Sequence, residues 1–201
     1  MNWEMNNFAV FFDRDGIVNK RIINDYVKNI DEFEFIPDFF YIFNLVKQFG
    51  FQTFLITNQQ GIGKKLMTED DLDKIHQYMQ DVLLTRTGYQ FDKIYFSPSL
   101  AQENDYRRKP NPGMILEAIK DFNLNPNSCL MIGDSISDVL AGKNADILTV
   151  LVYHEQNHYN SMSIEELQRL QSDYVFANFE ELARHLPLIL YEIKSKNKKT
   201  K

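Results

Sequence analysis

Short apolar runs alternate along the whole chain with longer stretches of helical periodicity. The runs at 8–12, 51–57, 91–96, 129–133, 147–152 and 174–176 are mostly apolar, the pattern of strands covered on both faces of a parallel sheet. Between them, Pro37-Asp38 opens a helix with an apolar stripe at Phe39, Phe43 and Val46, and Gly50 closes it. Thr68 with Asp71 approximates a capping box ahead of Leu72, Ile75, Met79, Val82 and Leu83, whose spacing assigns them to the core. Further helices are expected over 114–122 and from about 179 to 193, with a frayed, disordered basic tail at 194–201. Residues 1–193 therefore read as one three-layer, Rossmann-like α/β domain with a mostly parallel sheet. Right-handed crossovers allow the doubly wound strand order 3-2-1-4-5.

At 201 residues, with 44% hydrophobic and 25% charged, the chain has the make-up of a soluble protein with one substantial core. A net charge of −6 argues against nucleic acid or an anionic membrane as a bulk electrostatic partner. It leaves open an anionic substrate met by local cations or a metal. Cys129 is the only cysteine, which excludes an internal disulfide and a thiolate zinc cluster. The N-terminus shows no secretory pattern and no apolar stretch reaches transmembrane length, so a cytoplasmic monomer is the expectation.

The chemistry gathers at strand ends. The first run stops at Asp13-Arg14-Asp15-Gly16, and ligands of open α/β sheets bind beyond such carboxyl ends. The pair is either an acidic turn or a site for a hard cation, with one Asp as nucleophile. The second run ends in Thr57-Asn58 and the fourth in Asp134, with Asp138 four residues on. In the order 3-2-1-4-5 these tips flank Asp13, and Lys109 reaches in from the long loop at 97–112. Carboxylates with few other ligands suit Mg²⁺. Asp13 can then attack phosphorus while Asp15 protonates the leaving oxygen and later activates water. Mg²⁺ and Lys109 offset charge on the transferring group. Lys20 and Arg21, just past the first strand tip, either meet an anion or stay solvated. The loop Gln59-Gln60-Gly61-Ile62-Gly63-Lys64-Lys65 is not a nucleotide P-loop, because the upstream glycine is missing and Lys65 replaces the Ser/Thr.

Four stretches carry a resemblance. Asp13-Arg14-Asp15-Gly16-Ile17-Val18-Asn19, Thr57-Asn58-Gln59, Arg108-Lys109-Pro110-Asn111-Pro112-Gly113-Met114 and Gly133-Asp134-Ser135-Ile136-Ser137-Asp138 resemble the four motifs of haloacid dehalogenase (HAD)-type phosphatases. Asn19, Tyr26-Val27 and the 59–63 loop narrow the likeness to the branch with heptose bisphosphate and histidinol-phosphate phosphatases. The resemblance implies a HAD-like domain with a minimal cap or none, acting on a small phosphorylated metabolite. It makes Asp13 the nucleophile, Asp15 the acid/base, and Thr57, Asn58 and Lys109 phosphate ligands. It also places Arg108 at the substrate and Asp13, Asp15, Asp134 and, secondarily, Asp138 at Mg²⁺. A heptose or other sugar bisphosphate is the first expected substrate and histidinol phosphate the second. That branch usually carries a zinc loop, Cys-x-His and then Cys-x-Cys before Arg-Lys-Pro. Here those places hold Ser97, Ser99, Asp105 and Arg107, so no structural Zn²⁺ is expected.

Three rival readings rank lower. His154-Glu155-Gln156-Asn157-His158 matches the zinc-peptidase sequence H-E-x-x-H, but it directly follows a β-branched strand instead of lying on a helix. A receiver-type phospho-switch needs its phosphorylated Asp on a mid-chain strand, and the third run here ends at Ser97. A non-catalytic phosphate-binding relative has to explain why every residue needed for chemistry is present.

Overall fold

The first apolar run becomes β1 (Ala9–Phe12), buried at every position because it lies inside a sheet between two parallel neighbours. The computed structural model describes residues 7–153 and 172–198. Those residues form β1, β2 (Gln52–Asn58), β3 (Lys93–Ser97), β4 (Cys129–Gly133), β5 (Leu148–Val152) and β6 (Tyr174–Phe176). The strand order is β3-β2-β1-β4-β5-β6 and every pairing is parallel. The order expected from sequence holds, with β6 added at the edge beside β5.

Alternation along β1 separates two cores. Val10 and Phe12 face one layer, where they pack among Phe39, Phe43, Leu72 and Leu186. Ala9 and Phe11 face the other, with Met114, Ile115 and Ala141. The first layer is built from α1 (Pro37–Gln48), α3 (Glu69–Thr87) and the long α6 (Phe179–Lys198), and the second from α4 (Gly113–Asp121) and α5 (Ile136–Asn144). A single turn of helix, α2 (Gln60–Gly63), stands where the sequence suggested only a loop. The capping box at α3 forms as expected: Thr68 Oγ1 accepts from Asp71 N at 3.1 Å, and Asp71 Oδ2 accepts from Thr68 N at 3.0 Å.

One boundary differs. The expected frayed tail at 194–201 is helical as far as Lys198, and Lys194 Nζ donates to Phe49 O at 2.8 Å. Among the described residues no helix is long and apolar enough to cross a membrane. The His154–His158 motif lies outside the described residues.

Candidate active site

Register brings the strand tips together. Phe12 is level with Leu55 of β2 and Ile132 of β4, so Asp13, one residue further, emerges between both neighbours. Lys109 Nζ lies 2.7 Å from Asp13 Oδ1, 2.5 Å from Asp138 Oδ1 and 2.9 Å from Ile56 O. Those acceptors match the ammonium's three protons, and the group is buried. Burial alone lowers the Lys109 pKa, but the charges of Asp13 and Asp138 raise it overall. Asp13 is pushed up to about 6 by burial and then by Asp138, against the pull of Lys109. Asn58 fixes Lys109 through the backbone: its Nδ2 donates to Lys109 O at 2.9 Å and its Oδ1 accepts from Lys109 N at 3.0 Å. The expected phosphate-binding Asn58 is thus a clamp on Lys109.

Asp15 lives in a ring of donors. Arg14 Nη2 reaches its two oxygens at 3.0 and 3.1 Å, Asn19 Nδ2 donates at 2.9 Å and Gln59 Nε2 at 3.0 Å. Burial opposes ionisation here, yet the Arg14 charge and these hydrogen bonds hold Asp15 below the usual carboxylate range. Gln59 Nε2 also donates to Thr57 Oγ1 at 2.7 Å, so the expected phosphate-binding hydroxyl belongs to the same network. Sequence reasoning gave Arg14, Asn19 and Gln59 no role. Asn19 and Gln59 stand inside the recognised motifs, which was the available signal. Arg14 gave none, since nothing local to Asp13-Arg14-Asp15 says that a guanidinium will be fully buried.

Asp134 sits across from Asp13, and the turn after β1 is shaped to admit it. Gly16 takes φ +98°, and a Cβ there would stand 2.0 Å from Asp134 Oδ2. Oxygens of Asp13, Asp134 and Asp138 lie within 4.8 Å of one another. Among the described residues this is the group able to hold an ion, and its all-carboxylate donor set fits a hard divalent cation such as Mg²⁺. Burial, then the neighbouring carboxylates, raise Asp134 well above its ordinary value despite the Arg21 charge. Two of the expected metal residues are also bonded to the protein's own donors. Asp138 is bonded at both oxygens, Oδ1 to Lys109 and Oδ2 to Ser135 Oγ at 2.6 Å. The Asp15 carboxylate is turned to Arg14, Asn19 and Gln59, and its backbone oxygen shares a donor with Asp134. That oxygen and Asp134 Oδ1 both accept from Arg21 Nη2, at 3.2 and 2.7 Å.

Lys20 and Arg21 part company. Arg21 enters the site, whereas Lys20 pairs with exposed Glu34 and does not line the cavity. Alternation in an extended segment accounts for this, since adjacent side chains point to opposite sides. The cavity beyond the strand tips is open, about 510 Å³, and lined by residues including Asp13, Arg21, Tyr26, Asn58, Lys64 and Lys109. A larger hollow of about 690 Å³ beside Asn125, Lys143 and Asp146 lies at the amino ends of the strands, away from the carboxylates. Arg108 stands next to the first cavity, its Nη2 3.5 Å from Gln60 Oε1.

The four motifs resembling those of HAD-type phosphatases thus converge on one pocket, and the chain belongs to the HAD-like hydrolase family. A family model described as HAD-hydrolase-like matches residues 106–182. The D-glycero-beta-D-manno-heptose-1,7-bisphosphate 7-phosphatase of Pasteurella multocida is 37% identical over 184 residues, spanning 88% of this chain and 95% of the relative. Its namesake from Helicobacter pylori is 40% identical over 141 residues, 70% and 80% of the two chains. A crystal structure of D,D-heptose 1,7-bisphosphate phosphatase from B. bronchiseptica, complexed with magnesium and phosphate, superposes with a TM-score of 0.75 at 25% identity. That match covers 90% of this chain and 98% of the other.

Proposed function

We propose that this chain is a Mg²⁺-dependent cytoplasmic phosphatase that removes one phosphoryl group from a heptose bisphosphate, with Asp13 as nucleophile. The observation that carries the reading is the buried Lys109 ammonium on Asp13 Oδ1, both lining the cavity, with an Asp134 oxygen within 4.8 Å of the Asp13 carboxylate. An Asp13 oxygen attacks phosphorus as the ester P–O bond breaks, and Asp15, which its donors hold ionised in the free site and which must take up a proton as substrate binds, gives that proton to the departing alkoxide. Asp15 is then an anion, the form its ring of donors favours, and takes a proton from the water that attacks the aspartyl-phosphate. That attack frees Asp13 and releases inorganic phosphate. Lys109 sets the Asp13 oxygen and offsets charge on the transferring phosphoryl group, where positioning and electrostatics dominate. Asp13, Asp134 and the Asp15 carbonyl would hold Mg²⁺, which would further neutralise the phosphoryl oxygens. Relatives named for heptose bisphosphate match from 70% to 88% of the chain, which favours that substrate over histidinol phosphate. Phosphate release from both substrates, with Mg²⁺ and with a chelator, tests the reading. A Mg²⁺-dependent preference for heptose bisphosphate supports it, and equal or inverted preference overturns the substrate assignment.

A further inference from the structure

Arg108 and Lys109 are adjacent in sequence but held by different means. Lys109 is anchored outside the loop that carries it, by Asn58, Asp13, Asp138 and the Ile56 carbonyl. Outside that loop Arg108 has only one long contact. Its Nη1 donates to Ser99 O at 2.9 Å and its Nη2 only to Gln60 Oε1 at 3.5 Å, so its direction depends on where Ser99 lies. Among the described residues Arg108 makes no ion pair, and its half-burial lowers its pKa. A half-buried guanidinium with no carboxylate in ion-pair contact, drawn only at longer range by Asp105 and Glu103 and standing beside a cavity residue, is ready for an anion.

Ser99 is placed by Asp105. The Asp105 Oδ2 accepts from Ser97 Oγ at 2.9 Å and from Ser99 Oγ at 2.6 Å, and Oδ1 accepts from Arg107 N at 3.0 Å. Its carbonyl accepts from Arg108 N at 3.1 Å and Asn111 Nδ2 at 2.8 Å. One residue therefore ties the tip of β3 to the turn that presents Arg108. The turn itself is tight, because a Cβ on Gly113 would stand 2.4 Å from Tyr106 O. We infer that Asp105 is a positioning residue for the anionic group the substrate retains, acting through Ser99 to aim Arg108 at the rim of the cavity. The inference rests on the phosphatase reading, with a substrate that carries a second anion.

Kinetics on heptose bisphosphate and on p-nitrophenyl phosphate, which has no second anion, separate this role from a merely structural one. Asp105→Ala should raise KM for the bisphosphate about tenfold with kcat kept, and leave p-nitrophenyl phosphate kinetics unchanged. Ser99→Ala, a gentler change, should move the same KM in the same direction by less. In an Arg108→Gln background Asp105→Ala should add nothing, because the two residues act in series. Equal losses on both substrates, or an undiminished effect in that background, overturn the inference. Amide exchange reads the link without substrate: Asp105→Ala should speed exchange across residues 99–108, and wild-type protection there also overturns it. A wild-type enzyme inert towards the bisphosphate instead removes the substrate reading, while the exchange result still decides the link.

Discussion

Lys109 Nζ stands 2.7 Å from Asp13 Oδ1, and still the Asp13 carboxyl is pushed up to about 6 from an ordinary 3.8. The folded protein thus holds this proton more tightly than the unfolded chain does. Between those two values stability falls as pH rises, and the full cost of ionising Asp13 is present above the folded value. Asp13→Asn should therefore stabilise the metal-free protein at neutral pH, by on the order of 1–3 kcal/mol. Lys109 keeps Asp138 as a partner. The gain should shrink as pH falls below the unfolded value, where wild-type Asp13 is neutral as well. Urea titrations at several pH values check this, and a variant less stable than wild type at neutral pH contradicts it.

Arg14 has the opposite sign. Its side chain is fully buried and carries both oxygens of an Asp15 that is 26% exposed. Breaking a buried pair from one side commonly costs 3–5 kcal/mol, and the exposed edge of Asp15 trims that to about 2–4 kcal/mol for Arg14→Met. Turnover should fall as well, since Asn19 and Gln59 alone then hold Asp15. A midpoint shift near zero in urea tells against the pair as a structural anchor.

Much of this site was legible in the sequence, for one reason. Apolar runs such as those ending at Phe12 and Ile132 fix where strands stop, and the polar residues just beyond them are forced to the carboxyl edge of the sheet. Asp13, Thr57 and Asp134 were placed that way. What stayed hidden depends on side-chain direction. No pattern in Lys20-Arg21 distinguishes the member that meets Asp134 from the one that meets Glu34. Nor could the chain alone show that Asn58 clamps Lys109, a residue 51 positions away, because that bond exists only once β2 and the loop after β3 are side by side. The lysine-rich end of α6 reads as frayed in sequence because its composition is polar, whereas its contact is made by Lys194 on the Phe49 carbonyl.

Metal binding should depend on pH. Asp13 and Asp134 both have raised values through burial, and each must give up its proton to ligate a cation. Calorimetric Mg²⁺ affinity should tighten from about pH 5.5 to about pH 7.5 by on the order of tenfold, with proton release. Asp134→Asn should weaken it at every pH. A flat pH profile contradicts the assigned ligand set.

Arg21 pulls in two directions. Its Nη2 neutralises Asp134 Oδ1 and touches the Asp15 carbonyl, oxygens also assigned to the cation. Arg21→Gln should therefore tighten Mg²⁺ binding several-fold, by roughly 1 kcal/mol for one screened charge at short range, while raising KM through loss of a cavity cation. Weaker Mg²⁺ binding in Arg21→Gln runs against this arrangement.

The central claim is that Asp13 itself carries the phosphoryl group. Rapid acid quench of a single turnover on heptose bisphosphate, followed by peptide mass spectrometry, tests it most directly. The account predicts one phosphoryl group on Asp13, removable by hydroxylamine and absent from Asp13→Asn. Phosphate release with no phosphorylated protein on the same timescale, or a phosphoryl group on any other side chain, contradicts it.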